Sequence, residues 1–242
     1  MQWKEDDTQN HCLGLHIWHD VPCPAPSPPR RAPHPRSHEG RRLGTGVPVP
    51  GERAAVPRAA GGLLAAAVLV TLCSVGGYPA LLYTLRSSTL TGHHKGDVSF
   101  PGGKRDSSDQ DVIATALRET QEELGLRLEA ESVWGVMRPI PSGRGLTVAP
   151  VLANLGPLEY VCLNPNQQEV EDVFTIPLSH LLQAQNQGYT HFRHQGRYSH
   201  TLPVFLNGRY RVWGLTAIIT DLTLELLAPS AYRRRMRPPS TR

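Results

Sequence analysis

The uncharged run from Ala59 to Tyr78, "AAGGLLAAAVLVTLCSVGGY", is the feature that most restricts what this chain can fold into. A transmembrane helix needs about 20 apolar residues, and the run is that long. Glycine pairs at 61–62 and 76–77, however, leave a shorter apolar core, 63–75, which is more typical of a buried element. We therefore predict a strand in "AAVLVTLCS", a turn in "VGGYP" and a hairpin partner in "ALLYTLRS". A membrane span is the less favoured alternative.

The composition on either side of this run divides the chain into three parts. Residues 1–58 are rich in Pro, Gly and Arg without an apolar period, so we predict that they are disordered. They fit a mitochondrial presequence only in part, because acidic residues precede the first arginine, Arg30. Residues 59–229 form the predicted α+β domain, and residues 230–242 form a basic tail. The net charge of +4 comes largely from the flanking segments, so we predict no nucleic-acid partner.

The second half of the predicted domain mixes strands and helices. Residues 132–140 and 146–155 have the pattern of strands, and a strand followed by a proline precedes a short helix that begins near Leu178. A hairpin is predicted around "NGR" at 207–209. The segment 213–228 is predicted to be a closing amphipathic helix.

A helix is predicted from Asp109 to Leu124. Ser107, Ser108 or Asp109 can cap its start, and Gly125 is well placed to end it. Four residues recur with helical spacing and predict a buried stripe: Ile113, Leu117, Thr120 and Leu124.

Three glutamates, Glu119, Glu122 and Glu123, occupy the neighbouring face of this helix. Like charges at this spacing repel, and Arg118, four residues before Glu122, can orient or partly neutralise only one of them. Hard divalent cations such as Mg²⁺ prefer carboxylate oxygens. The loop "PGGK" before the helix allows close approach of the backbone to a strand, a metal or a phosphate. Together these features favour a metal and phosphate site over a solvated helix face.

The stretch "GGKRDSSDQDVIATALRETQEELGL" resembles the Nudix box, in which a glycine and an acid precede R-E-U-x-E-E-x-G-U, where U is apolar. Thr120 stands where the family usually has an aliphatic residue, and one extra residue separates Asp109 from Arg118. The longer stretch from "LLYTLRSSTL" through "FPGGK" is similar to the coenzyme A diphosphatase branch of this family. The similarity covers about 63–227.

This resemblance implies a Nudix α/β/α sandwich with a central mixed β-sheet. It also implies hydrolysis of the diphosphate of coenzyme A or its thioesters, with Mg²⁺ or Mn²⁺ as the cofactor. A mitochondrial location follows from the resemblance more than from the N-terminus. We expect a monomer or a homodimer that acts on a small molecule.

The resemblance also assigns candidate site residues. Metal ligands would be Glu119, Glu122 and Glu123. The candidate catalytic residues are Glu122, Arg118 and Glu169. Arg118 would orient a glutamate, and Glu169 would be the base or an additional metal ligand. Candidate substrate contacts are Arg86, His94, Gly102 and Gly103.

Each of the less certain candidates has a structural alternative. Arg86 could form a surface salt bridge, His94 could fix its loop, and Glu169 could be an exposed loop residue. Trp213 is predicted to lie in the core rather than to be a substrate platform. Hydrolysis of another nucleoside diphosphate derivative (ADP-ribose or NADH), a non-catalytic nucleotide-binding module and a membrane-tethered scaffold remain alternative functions.

Overall fold

The computed structural model describes residues 64–91, 94–142, 146–194 and 197–233. The predicted disordered segment 1–58 and residues 234–242 of the predicted tail lie outside these ranges. The proposed domain boundaries therefore stay predictions.

From Leu64 onward, the uncharged run forms the first strand and the turn of a β-hairpin, as predicted. Strand β1 (Leu64–Val75) pairs antiparallel with β2 (Tyr78–Arg86). The turn between them uses Gly76 and Gly77 at φ of 56° and 82°, a backbone conformation that glycine adopts without steric cost. Within the described ranges, no helix is long and apolar enough to cross a bilayer.

This hairpin is the centre of an eight-stranded sheet in the described part of the chain. The sheet's remaining strands are β3 (Val98–Ser99), β4 (Gly102–Lys104), β5 (Val133–Val136), β6 (Ile140–Pro141), β7 (Thr147–Pro157) and β8 (Val170–Pro177). The main path runs β3-β2-β1-β7-β5, while β4, β6 and β8 pair with β1, β7 and β2. The β1–β7 pair is parallel and the other pairs are antiparallel, so the sheet is mixed.

Helices cover both faces of the sheet. Leu69 of β1 packs with Ala116 of helix α1 (Val112–Leu124). Its neighbour Val70 packs with Ile219 of the long C-terminal helix (Gly214–Leu227). Because successive side chains of a strand point to opposite faces, the two helices lie on opposite sides. The predicted α/β/α sandwich is confirmed.

Helix α1 begins later than predicted. Its first residue is Val112, and the cap is Asp111, whose side chain accepts a hydrogen bond from the Ala114 N–H at 2.8 Å. The prediction that Ser107, Ser108 or Asp109 caps the helix is therefore wrong. Gly125 does end the helix, in the left-handed conformation at φ 64°.

The buried face of α1 is also rotated from the predicted stripe. Thr120 and Leu124 are buried as predicted, but Ile113 and Leu117 are only half-buried. The remaining buried residues of α1 are Val112, Thr115, Ala116 and Glu123. Glu123 therefore lies on the buried face of the helix, together with the small side chains of Thr115 and Ala116.

The closing part of the chain contains a short helix, a hairpin and the long helix. Helix α2 (Leu178–Leu182) begins where predicted, and the long helix, α3 (Gly214–Leu227), confirms the predicted closing helix. Strands β9 (Gln187–His194) and β10 (Arg197–Phe205) pair with each other. The predicted turn around 207–209 is present and is spanned by one antiparallel bridge, Phe205 to Val212. An extended hairpin does not follow it, because the long ladder of β10 is with the preceding strand β9.

Candidate active site

The last turn of α1 meets the end of β2 through Glu123 and Arg86. Glu123 is 2% exposed, and its Oε1 accepts a hydrogen bond from Arg86 Nη1 at 3.4 Å. Its other oxygen, Oε2, is buried and has no hydrogen-bond partner in the described part of the chain. A buried carboxylate oxygen without a donor is costly, so this oxygen has the property expected of a cation ligand.

The electrostatic environment of Glu123 is short of positive charge. Burial raises the pKa of Glu123 to about 7; the charge of Arg86 and a hydrogen bond from the Gly102 N–H oppose this shift, and the charges of Glu169 and Glu119 add to it. Burial likewise raises the pKa of Glu119, with Arg118 opposing the shift. The site therefore holds more carboxylate charge than its neighbouring arginines neutralise.

Arg118 holds three carboxylates at once. Its Nε and Nη2 donate to the two oxygens of Asp109 at 2.9 and 3.0 Å, a bidentate pair. Its nitrogens also contact Glu119 Oε1 and Glu122 Oε2, each at 3.0 Å. A further bond from Nη2 goes to the Lys104 carbonyl at 3.0 Å, which ties the helix to β4. The predicted contact between Arg118 and Glu122 is therefore present.

Asp109 is the residue that the sequence interpretation placed wrongly. It is buried, and hydrogen bonding by Arg118 holds the pKa of its carboxyl far below its usual range. The family pattern contains an acid upstream of the arginine, and this pattern could have identified Asp109 as the partner of Arg118. The extra residue between Asp109 and Arg118 made this assignment uncertain. In the structure, Asp109 pairs with Arg118, and a different residue, Asp111, caps the helix.

The two glycines of the loop have different neighbours. A Cβ on Gly102, which has φ 153°, would collide with the backbone of Ala67 and Val68 in β1. A Cβ on Gly103 would instead collide with the Glu119 carboxylate. Gly102 therefore permits the close strand pairing of β4 with β1, and Gly103 leaves the space that Glu119 occupies. Their predicted role in substrate binding stays a prediction.

Glu169 reaches the site from the loop before β8. The loop is docked on the end of α1, where the Asn166 N–H donates to the Glu123 carbonyl at 2.9 Å. The Ser87 N–H donates to the Glu169 carbonyl at 2.8 Å, and the Asn166 side chain lies 3.4 Å from Glu169 Oε1. The charge of Glu169 contributes, after burial, to the raised pKa of both Glu119 and Glu123. The structure thus brings this predicted base to the box glutamates.

His94 is the most exposed of the candidate residues. Its side chain is 83% exposed, and Nδ1 lies 3.2 Å from Asp97 Oδ2. The loop that carries it is anchored on the backbone of Arg86, which donates to the Asp97 carbonyl at 3.0 Å and accepts from the Gly96 N–H at 3.1 Å. The observed contact of His94 is therefore with Asp97 of its own loop, and none of the described contacts joins it to the carboxylates of α1.

Trp213 does not lie in the core, contrary to the prediction. Its side chain is 40% exposed, and the Arg211 guanidinium lies 5.7 Å from its ring centroid. The neighbouring Val212 takes the buried position instead, and it is fully buried. Sequence periodicity could not distinguish the two, because both are apolar and adjacent.

The donor set fits a hard divalent cation. Its members are carboxylate oxygens, which Mg²⁺ and Mn²⁺ prefer, and Glu123 Oε2 is buried without a donor. No three His, Cys, Asp or Glu side chains of the described ranges are gathered at metal-binding geometry. Glu119 and Glu122 instead pair with Arg118. The residues that would hold the cation are therefore present and are partly engaged by arginine.

The comparisons with known proteins agree with this geometry. The NUDIX domain family matches residues 63–193. The mitochondrial coenzyme A diphosphatase NUDT8 of Homo sapiens is 64% identical over 171 residues, which cover 71% of this chain and 72% of that protein. The protein of the same name from Mus musculus is 64% identical over 175 residues, covering 72% of this chain and 83% of that one.

Among solved structures, a MutT/nudix family protein from Enterococcus faecalis aligns with a TM-score of 0.46 at 17% identity, over 66% of this chain and 61% of that one. That similarity is too weak to carry an argument, and the assignment rests on the sequence matches. They extend over more than half of the chain and include the box that carries Arg118, Glu119, Glu122 and Glu123. The chain therefore belongs to the Nudix family.

Proposed function

We propose that this chain is a metal-dependent hydrolase of the diphosphate bond of coenzyme A and its thioesters. The products are 3′,5′-ADP and 4′-phosphopantetheine or its acylated form. The choice of coenzyme A as the substrate rests on the 64% identity to two proteins named as mitochondrial coenzyme A diphosphatases. Their names also support a mitochondrial location for this chain.

The cofactor in this proposal is Mg²⁺ or Mn²⁺, held by Glu119 and Glu123 with Glu122 as a further ligand. When bound, such a cation neutralises charge on the phosphates and lowers the pKa of an attacking water. Glu123 Oε2, which is buried without a hydrogen-bond partner among the described residues, supports this role, because a bound cation would offset the cost of burying it. Burial of this carboxylate is also the main cause of its raised pKa, about 7.

The remaining side chains position the reactants and move a proton. Arg118 is held by Asp109 and in turn fixes Glu119 and Glu122. Glu169 accepts the proton of the water whose oxygen bonds to one phosphorus, while the bond from that phosphorus to the bridging oxygen breaks. Arg86, 27% exposed beside Glu123, is placed to pair with a phosphate oxygen. His94 and the backbone at Gly102 and Gly103 are the other proposed substrate contacts.

The decisive experiment is product analysis with the full chain. Coenzyme A, ADP-ribose and NADH are each incubated with Mg²⁺, with Mn²⁺ or with EDTA. The expected result is 3′,5′-ADP from coenzyme A with either cation and none with EDTA. Glu119→Gln and Glu123→Gln should abolish this product. Glu225→Gln is their matched control, since Glu225 is an exposed glutamate of α3.

Other outcomes distinguish the alternatives. Cleavage of ADP-ribose or NADH without cleavage of coenzyme A would retain the box chemistry and overturn the substrate. Metal binding without cleavage of any compound would support a non-catalytic nucleotide-binding module.

A further inference from the structure

Asn166 joins the loop before β8 to both helix α1 and the candidate base Glu169. Its backbone N–H donates to the Glu123 carbonyl at 2.9 Å, and the nearby Asn164 N–H donates to the Leu124 carbonyl at 2.8 Å. The last carbonyls of a helix have no partner inside the helix, so these two bonds cap the end of α1. The loop is thereby fixed to the helical turn that carries Glu123.

The same residue closes the turn that leads into Glu169. The Asn166 carbonyl accepts from the N–H groups of Glu169 and Val170 at 2.9 and 2.8 Å, as in a β-turn. The Asn166 Oδ1 accepts from the Gln168 N–H at 3.1 Å, which is the contact of an Asx turn. These three bonds fix the backbone of Glu169 relative to Asn166.

The orientation of the Asn166 amide follows from these contacts. Because Oδ1 faces an N–H, the other end of the amide is the NH₂ group, which only donates. This nitrogen lies 3.4 Å from Glu169 Oε1, and an ionised carboxylate only accepts. The amide therefore presents a donor to one carboxylate oxygen, at the long end of hydrogen-bond distances.

The Glu169 side chain has carboxylates as its charged neighbours. Its charge acts on both Glu119 and Glu123, and like charges repel. None of the ion pairs within the described ranges includes Glu169. The donor that holds this carboxylate beside the box glutamates is therefore the amide of Asn166, on its own loop.

From these contacts we propose that Asn166 is a positioning residue for the reaction, because its side-chain amide holds the Glu169 carboxylate in the orientation that accepts the proton of the attacking water. A base that is already oriented loses less conformational freedom in the transition state. This inference rests on the proposed function, in which Glu169 is the base. It adds to the proposed reaction a residue from outside the Nudix box.

The variant Asn166→Asp separates the two roles of this side chain. Aspartate keeps the oxygen that accepts from Gln168 and is itself common in Asx turns, but it replaces the donor with a second negative charge against Glu169. We expect kcat for coenzyme A at saturating Mg²⁺ to fall at least tenfold, with KM within about twofold and a nearly unchanged melting temperature. A side chain that only shaped the turn would allow wild-type turnover in this variant.

Asn154→Asp is the matched control. Asn154 is an exposed residue of β7 whose Oδ1 accepts from the Gly156 N–H at 3.0 Å, so the same substitution is made in the same kind of contact. Asn154 lies opposite Leu72, whereas Gly103 lies opposite Ala67 at the other part of β1. We expect kcat and KM of this variant to equal those of the wild type.

A double-mutant cycle tests whether Asn166 acts through Glu169. Glu169→Gln removes the base and should lower kcat about a hundredfold or more. Adding Asn166→Asp to it should change kcat by less than about twofold, whereas a role in the general architecture would give the same loss in both backgrounds. Additive losses, or a wild-type kcat in Asn166→Asp alone, would overturn the inference.

The contact itself is measured without turnover, by NMR of the ¹⁵N-labelled full chain in EDTA. The Asn166 side-chain NH₂ signal is identified by its loss in Asn166→Asp, or in Asn166→Ser if the first variant does not fold. It should move in Glu169→Gln and stay in place in Glu171→Gln, which changes an exposed carboxylate two residues further on. A signal that Glu169→Gln leaves in place contradicts the inference.

Failure of the proposed function gives a different pattern of results. In that case the wild-type protein does not cleave coenzyme A, while the Asn166 signal still moves in Glu169→Gln. Cleavage of coenzyme A with wild-type kcat in Asn166→Asp would instead retain the proposed function and remove the positioning role of Asn166.

Discussion

Asp109 and Glu123 are two buried carboxylates at the two ends of the Nudix box, and their environments are opposite. Asp109 receives two hydrogen bonds from one guanidinium, and its pKa is lowered. Glu123 shares one oxygen with Arg86 at 3.4 Å, leaves the other without a donor, and has its pKa raised to about 7. Burial alone therefore does not determine the role of a carboxylate. Asp109 is satisfied by the chain and positions Arg118, whereas Glu123 lacks a positive partner that a metal can supply.

The largest expected effect is on catalysis. Glu123→Gln keeps the shape of the side chain and removes the charge that would hold the cation. We expect kcat for coenzyme A hydrolysis to fall about a thousandfold or more, since such a cation contributes several kcal/mol to the transition state. Steady-state kinetics with saturating Mg²⁺ measure this, with Glu225→Gln as the control. Turnover near that of the wild type would contradict a metal-binding role for Glu123.

The same substitution should stabilise the metal-free protein at high pH. A carboxyl with a raised folded-state pKa does not lower the folding stability at pH values below its unfolded pKa of 4.5. Between pH 4.5 and about 7 the loss of stability grows, and above pH 7 it is constant. The difference between the folded and unfolded pKa values corresponds to a loss of at most about 3 kcal/mol in the free energy of unfolding. In EDTA, Glu123→Gln should therefore melt several degrees above wild type at pH 8, with little difference at pH 4.5.

Thermal melts across this pH range measure the effect. Added Mg²⁺ should raise the melting temperature of the wild type and not that of the variant. A variant that is less stable than wild type at pH 8 in EDTA would show that Glu123 is compensated by the chain itself.

Asp109→Asn should have the opposite effect on stability. The variant leaves Arg118 without its bidentate partner, and we expect a loss of about 2 kcal/mol at pH 7. The lowered pKa of Asp109 means that its stabilisation is present above the unfolded value and is lost as the pH falls through the folded value. The difference from wild type should therefore shrink towards pH 2 in urea unfolding curves. A difference that is independent of pH would point to packing rather than to the ion pair.

The smallest effect is expected from Gly103→Ala. The new methyl group would collide with the Glu119 carboxylate, which can move because it is the end of a flexible side chain. We expect activity to fall about tenfold, about 1.4 kcal/mol, with nearly unchanged stability. Gly102→Ala is the comparison, because its methyl group would meet the backbone of β1 and should reduce stability by about 1–3 kcal/mol. Equal stability losses in the two variants would show that the loop, rather than Glu119, responds to the change.

The elements with strong local patterns were predictable. The uncharged run with its glycine pair, the Glu-rich helix with Gly125 at its end, and the apolar closing helix all formed where the sequence placed them. The start of α1 was not predictable, because several polar residues between Ser107 and Asp111 can cap a helix. The turn around 207–209 was predictable, but the extent of pairing beyond it was not: β10 forms its long ladder with the preceding strand β9, and a single bridge spans the turn.

The sequence by itself determined which chemical groups this protein can use: a carboxylate-rich helix, a glycine loop and arginines in the Nudix pattern. Those properties reside in residue types and local spacing, which need no long-range contacts. Only the tertiary structure decided which carboxylate is satisfied and which is not. Arg118 reaches Asp109 rather than only the glutamates, while Arg86 comes from the end of β2 and Glu169 from the loop before β8. The pKa of a buried acid depends on these neighbours and on the water they exclude, and both are set when the sheet and its two helices pack together.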